Sequence, residues 1–409
     1  MIESPSQYAV LLAIVGIVII AGVLCRSKMR RLNITPIAGY ILIGVALAGI
    51  DAGFNFIGPD LQRNIDFLAK LGVVVLLFKV GLESDLGLLM RQLGNAFVIW
   101  LPNMLVAALM VFVLINNWPG LGLVPALFAG VAASATSIGV STAVWEDAGA
   151  LQSDDGALLL DVAELDDISA VILMSLLFAV APMLEQGQDN GALMSVVLQT
   201  AAWQLLKLAV FSALCYAFSR HLEQRLTALF HRLEPQFGPL MLATAVALLI
   251  AAAADMLGFS LAIGALFAGL AFSRDPEEAK IERAFGDFYT LFSPFFFVAI
   301  GLAVQFAAIG DAAVLAVAFL VVAVLGKLLG AGLPAAWLRG RRGGLLIGFS
   351  MTPRAEIFLI VMVYGLGLGA WAVPDALYTA AVIVSLTTCL LAPVMVQSLL
   401  GKTATKETG

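Results

Sequence analysis

Long apolar stretches, nearly free of charge, recur from one end of this chain to the other, at about 8–25, 34–50, 65–82, 93–116, 121–146, 156–182, 193–218, 237–256, 258–273, 287–306, 313–334, 343–369 and 375–398. A helix of about 20 apolar residues spans the hydrocarbon layer of a bilayer. The pattern therefore predicts an all-α polytopic membrane protein with about 13 transmembrane helices. Composition agrees, since 61% of the 409 residues are apolar and 12% charged, against about 25% charged in soluble domains. The connections are too short for a separate soluble catalytic or regulatory domain, which excludes a dinucleotide-binding enzyme or a kinase. Net charge is -6, and the basic cluster Arg26, Lys28, Arg30 and Arg31 is short. Nucleic acid is not an expected partner, because phosphate binding needs an extended basic face. The least marked boundary, between the eighth and ninth runs, rests on Asp255 and Gly258.

Lys and Arg collect in cytoplasmic loops of membrane proteins. Here they follow the odd-numbered runs: the Arg26 cluster, Arg91, Arg220 with Arg225 and Arg232, Arg274 with Lys280 and Arg283, Arg339 with Arg341 and Arg342, and Lys402 with Lys406. The opposite loops hold only Arg63, and Lys70, Lys79, Lys207, Lys327 and Arg354 fall inside runs. This asymmetry predicts an N-terminus outside and a C-terminus in the cytoplasm of a plasma (inner) membrane. The first run follows Glu3 rather than a positive region and is expected to be a retained helix. Cys25, Cys215 and Cys389 lack metal-ligand spacing and read as packing residues. His221 and His231 read as solvated residues of one polar loop. Neither a resident metal centre nor a cofactor is expected.

Two runs are interrupted at mid-depth. The fifth holds Ser134, Thr136, Ser137, Gly139 and Ser141, and the twelfth holds Gly348, Ser350, Thr352, Pro353, Arg354 and Glu356. An offset of seven spans reverses direction across the bilayer, so matched broken helices predict an inverted repeat with a binding site where they cross. The first repeat is expected at about 8–182, a linking helix at about 193–218 and the second repeat at about 237–398. Irregular backbone at that depth must be buried in protein or line a wet cavity. Arg354 and Glu356 are expected as a structural pair that neutralises the exposed helix ends of the crossing.

Chemistry should centre on the sixth run, where Asp166 and Asp167 stand side by side. An ionised group at bilayer depth costs at least about 2.5 kcal/mol, so such residues face a pathway or a partner. Consecutive helical positions diverge by about 100°, so the two aspartates cannot do the same job. Glu164 shares a face with Asp167 and forms an acidic step towards the cytoplasmic end. Lys327, in the middle of the eleventh run, should pair with Asp166 or Asp167. Burial opposes ionisation of a carboxyl, whereas a nearby ammonium or a bound Na+ favours it, so protons and cations compete for such a centre. Oxygen ligands for a hard alkali cation are available from Thr136 and Ser137 together with Asp167 and freed carbonyls. An intramembrane aspartyl protease needs its aspartates on facing helices, and these are consecutive.

Taken in order along the chain, these residues resemble the monovalent cation:proton antiporters of the NapA, GerN and Kef type. The resemblance is carried by Pro36, Gly39, Tyr40 and Gly44; the run Leu77 to Glu83; Ala135, Thr136 and Ser137; Asp166 and Asp167; Pro294 to Phe297 with Gly301 and Leu302; Gly326 and Lys327; and Pro353 to Glu356. It implies crossed, broken helices in two inverted repeats, and a homodimer whose protomers each carry a dimerisation part and a mobile six-helix core. It also implies that Asp167 binds the ion, that Asp166 pairs with Lys327 while remaining part of the Na+ centre, and that Thr136 lines the crossing. Paired aspartates with a lysine look like the electrogenic sodium branch, which exchanges cytoplasmic Na+ or Li+ for external H+ in pH homeostasis. Potassium systems of the Kef type usually carry Gln-Asp, and K+/H+ exchange is the alternative. Ala355, where Gly is usual, and Lys79, where an apolar residue is common, depart from the pattern.

Overall fold

The computed structural model describes residues 7–31, 36–54, 56–83, 86–151, 153–185, 190–235, 237–273 and 278–404. Each apolar run contains helix, the fifth and twelfth as two pieces, and the helices in chain order are α1 (Gln7–Arg31), α2 (Pro36–Phe54), α3 (Pro59–Glu83), α4 (Leu86–Asn116), α5 (Leu123–Ser134), α6 (Ile138–Asp147), α7 (Asp154–Glu185), α8 (Asn190–Phe218), α9 (Gln224–Leu233), α10 (Gly238–Met256), α11 (Leu261–Phe272), α12 (Glu278–Leu302), α13 (Ile309–Lys327), α14 (Leu333–Ser350), α15 (Glu356–Leu368) and α16 (Asp375–Ala404). Among the described residues, ten helical stretches are long and apolar enough to cross a membrane, and α11 and α15 are shorter apolar helices. Leu12, Ile17 and Ile20 of α1 and Leu198, Trp203 and Leu214 of α8 are exposed, as suits helices whose surroundings are lipid. The protein is multi-pass.

One connection differs from expectation. His221 and His231 do not lie in a loop: the chain continues from α8 through a wide helical turn, Ser219–Glu223, into α9. No Gly or Pro interrupts residues 219–234, and the helix stops just before Pro235, as the clash of a proline ring with the preceding residue requires. The expected connection at Arg339, Arg341 and Arg342 is present as a tight turn between the two helical segments that make up α14. There the chain turns at Gly340, whose φ of 76° suits glycine, and doubles back. The residues beyond it pack on those before it, since a side chain at Gly348 would meet Gly332 Cα at 3.1 Å. The expected break at Gly258 is present, with φ at 83°.

The chain forms two compact units that each draw on both halves of the sequence. The first comprises Met1–Val23, Ile50–Leu86 and Phe178–Ala299. Its α3 and α11 meet backbone to backbone: a side chain at Gly81 would strike the Leu266 carbonyl, and one at Gly269 the Phe78 carbonyl. Small residues at such a contact let dispersion forces act at short range where lipid supplies no hydrophobic drive. Lys207, from α8, donates to the Leu257 carbonyl at 3.2 Å. Its charge therefore meets the carbonyl end of α10, where cations are favoured.

The second unit comprises Leu24–Gly49, Gly87–Leu177 and Ile300–Gly409. Trp145, Leu159, Ile99, Ile347 and Met351 form one buried cluster that joins α6, α7, α4 and the end of α14. Here α4 and α13 are also in close contact, because Gly326 packs on Ala107 and Gly330 on Pro102 and Asn103. Lys327 lies between those two glycines, inside this contact.

Candidate ion-binding site

Both interrupted runs are broken where expected. The fifth leaves helical geometry at residues 135–137, between α5 and α6, and the twelfth at 351–355, between α14 and α15. The two irregular stretches touch, with the Ser137 amide donating to the Pro353 carbonyl at 2.9 Å. Ser141 Oγ donates to the Ser350 carbonyl at 2.6 Å, and Trp145 Nε1 to Ser350 Oγ at 2.9 Å. These bonds satisfy polar groups at the end of α14 that neither lipid nor the helix itself can serve. Arg354 is held from α16, where Thr388 Oγ1 accepts from its amide at 3.2 Å and Ser385 Oγ donates to its carbonyl at 2.6 Å.

Charge follows the helix ends. The carboxyl end of α5 carries partial negative charge, and the Arg354 guanidinium donates to the Ala135 carbonyl there. The amino end of α6 is partially positive, and Glu356 accepts the Ser137 hydroxyl beside it. Arg354 and Glu356 thus each serve the end of the facing half-helix. Arg354 is wholly buried and Glu356 is partly exposed.

Asp166 is the centre of the arrangement. It is wholly buried on α7 and receives three donors: Lys327 Nζ at 3.2 Å and Thr136 Oγ1 at 2.6 Å on Oδ2, and Asn103 Nδ2 at 2.9 Å on Oδ1. Lys327, itself fully buried, also donates to the Ser134 carbonyl at 2.7 Å, at the end of α5. Thr136 Oγ1 further lies 3.3 Å from the Met351 carbonyl, so its hydroxyl bridges α7 and the break after α14. Ser169 Oγ donates to the Asp166 carbonyl at 2.9 Å and accepts from Trp100 Nε1 at 3.1 Å, which ties α4 to α7 a second time. Asp167, one position on, is only half-buried.

Of the residues singled out from sequence, Asp166, Lys327 and Thr136 come together directly. Ser137, Arg354 and Glu356 form the neighbouring crossing, and Asp167 follows Asp166 on α7. The side chain of Glu164 lies outside the described residues. Among the described residues, no group of His, Cys, Asp and Glu is arranged to hold a metal ion as a resident centre. Sequence reasoning passed over Asn103 and Asp161. Asn103 had a signal, a lone amide beside Pro102 at the middle of an uncharged run. Asp161 is nine-tenths buried on α7, and its Oδ2 has no hydrogen-bond partner among the described residues.

Similarity to known proteins matches this geometry. The model of the transmembrane sodium/hydrogen exchanger family covers residues 15–402. A Na(+)/H(+) antiporter of Enterococcus hirae is 26% identical over 94% of this chain and 97% of its own length. The Na(+)/H(+)-K(+) antiporter GerN of Bacillus cereus is 26% identical over 95% of each chain. The solved structure of the sodium proton antiporter MjNhaP1 from Methanocaldococcus jannaschii at pH 8 shares the fold, with a TM-score of 0.69, 15% identity and coverage of 98% and 99% of the two chains. With a match that takes in nearly every helix described above, the chain belongs to the transmembrane sodium/hydrogen exchanger family.

Proposed function

We propose that this protein is a secondary antiporter that exchanges cytoplasmic Na+ or Li+ for external H+, with Asp167 alternately protonated and cation-bound. One observation carries the assignment: both carboxylate oxygens of Asp166 are taken by donors from α4, α13 and the α5 break. That leaves the adjacent, half-buried Asp167 as the carboxylate suited to exchange its partner. Hydroxyls that donate to carboxylates keep lone pairs for a cation, so Thr136 and Ser137 can complete an oxygen shell with Asp167. Glu164, three residues earlier on the same helical face, is the acidic step on the cytoplasmic side.

The transported charge needs no covalent chemistry. Alternating access moves a six-helix core against a dimerisation part in each protomer of a homodimer, and the crossed half-helices belong to two inverted repeats. The plasma membrane, with the N-terminus outside, is the setting in which such exchange regulates cytoplasmic pH. If Asp166 and Lys327 trade a second proton, transport is electrogenic and responds to voltage by about 2.3 kcal/mol per charge per 100 mV.

The test is proton flux in proteoliposomes of purified protein, driven by graded Na+, Li+ and K+. Asp167→Asn should abolish cation-driven flux, and unchanged flux in that variant discards the site. A K+/H+ reading is favoured by the name of the GerN relative, which includes K(+), and the K+ series decides it.

A further inference from the structure

We infer that Asp161 is a loading residue for the transported cation, giving Na+ or Li+ a carboxylate ligand on the cytoplasmic side of Asp167 before the ion reaches the centre. This rests on the reading in which Asp167 is the exchanging carboxylate. Asp161 is nine-tenths buried on α7, and its Oδ2 has no hydrogen-bond partner among the described residues. A buried carboxylate oxygen without a donor opposes folding. The same oxygen is the kind of ligand that a hard alkali cation prefers.

The place of Asp161 on α7 suits a path. Successive helical residues diverge by about 100°, so Ala157, Leu160, Asp167 and Ile168 share one side of the helix, and all four are half-buried. Leu158, Leu159 and Val162, on the other side, belong to the buried cluster with Trp145. Asp161 stands at the border of the two sides, about 9 Å of helix rise before Asp167. Residues three apart are neighbours on a helix surface, so Asp161, Glu164 and Asp167 follow one another in two such steps from the cytoplasmic end towards mid-depth. Acidic groups at bilayer depth turn to a polar pathway or a partner rather than to lipid.

A structural duty for Asp161 is not found among its neighbours. At the cytoplasmic end of α7, Arg339 lies 3.8 Å from Asp154 Oδ2 and 3.5 Å from Asp155 Oδ1. Those two carboxylates also stand in the first turn, where negative charge is favoured. Asp161 lies about two turns in, past the reach of the helix end, and no described ion pair includes it. Lys327 is already matched by Asp166. Asp161 therefore brings a carboxylate to α7 with no resident cation beside it among the described residues, which is what a transient stop for a passing cation requires.

The experiment uses purified protein in proteoliposomes of known orientation, with graded Na+ supplied to the cytoplasmic or to the external face, for wild type, Asp161→Asn, Asp161→Ser and Asp167→Asn. A cleft lined by one sign of charge concentrates its counter-ion about tenfold or more. Asp161→Asn should therefore raise the half-saturating Na+ concentration about tenfold at the cytoplasmic face, with the external value and the maximal rate little changed. Asp161→Ser, which also removes the carboxylate but is smaller, gives the same readout should the Asn variant fold poorly. A cytoplasmic half-saturation that stays at the wild-type value, or one that rises equally at both faces, overturns the inference. Asp167→Asn separates the two levels: if it keeps the wild-type flux, the exchange reading fails and this inference with it. If it abolishes flux while Asp161→Asn keeps the wild-type half-saturation, only the role of Asp161 is lost.

Discussion

Lys327 and Asp166 form an ion pair whose side chains are both entirely buried, with Nζ 3.2 Å from Oδ2. Removing one partner of such a pair leaves an uncompensated charge and costs about 3–5 kcal/mol, whereas replacing both by neutral groups costs far less. Lys327→Met and Asp166→Asn should each lower the thermal unfolding temperature in detergent, and the double variant should be more stable than Lys327→Met alone. Equal or additive losses would show that the two charges do not depend on each other.

Gly330→Ala should damage transport more than folding. Alanine gains about 1 kcal/mol of helix propensity over glycine, but its methyl group would sit 2.8 Å from the Pro102 carbonyl oxygen and 2.9 Å from Asn103 Cα. Overpacking of this kind costs about 1–3 kcal/mol, so the clash outweighs the gain and pushes α4 away from α13. A modest drop in stability is expected, with a clear loss of cation-driven flux in proteoliposomes.

The two residues at the crossing should differ in weight. Glu356→Gln keeps an acceptor for the Ser137 hydroxyl and loses only a charge near the amino end of α6, worth about 0.3–1 kcal/mol. Arg354→Ala strips a buried donor from the Ala135 carbonyl and opens space as well, and should cost about 3 kcal/mol or more. Paired thermal unfolding curves check the order.

The proposed competition between H+ and a cation at Asp167 would have its own signature. Below the titration range of the carboxyl, each unit fall in pH should raise the apparent half-saturating Na+ concentration about tenfold, with little change in maximal rate. A half-saturation independent of pH would mean that the two ions use separate centres.

Lys207→Ala should leave transport intact and lower stability by about 0.5–1.5 kcal/mol, because its observed partner is the Leu257 carbonyl at the end of α10. A defect in ion exchange with unchanged stability would contradict that structural role.

Much of this was legible in the sequence because a bilayer imposes simple rules. Every apolar run became a helix, and both mid-depth breaks fell where Thr136, Ser137, Pro353 and Arg354 interrupt the pattern. That Lys327 meets one of the paired aspartates followed from the cost of isolated charges, and the resemblance pointed to Asp166. Two kinds of information were hidden. Local continuation defeated the loop reading of His221 and His231, since a polar stretch without Gly or Pro can stay helical through residues 219–233. Asn103 could not be matched to Asp166 because their contact depends on glycines 326 and 330 of a third helix, and sequence order does not tell which helices approach most closely. The partners of Arg354 and Glu356 were obscured for the same reason, as each looks across the break rather than along it.

The Lys327 ammonium donates at once to the carboxylate on α7 and to the Ser134 carbonyl at the tip of α5. Discharging that one nitrogen would weaken an electrical attraction and a mechanical tether in the same event. If the proposed exchange includes this lysine, loss of its proton would act like a clutch, loosening the half-helix as the local field changes, and no separate messenger would be needed between chemistry and movement.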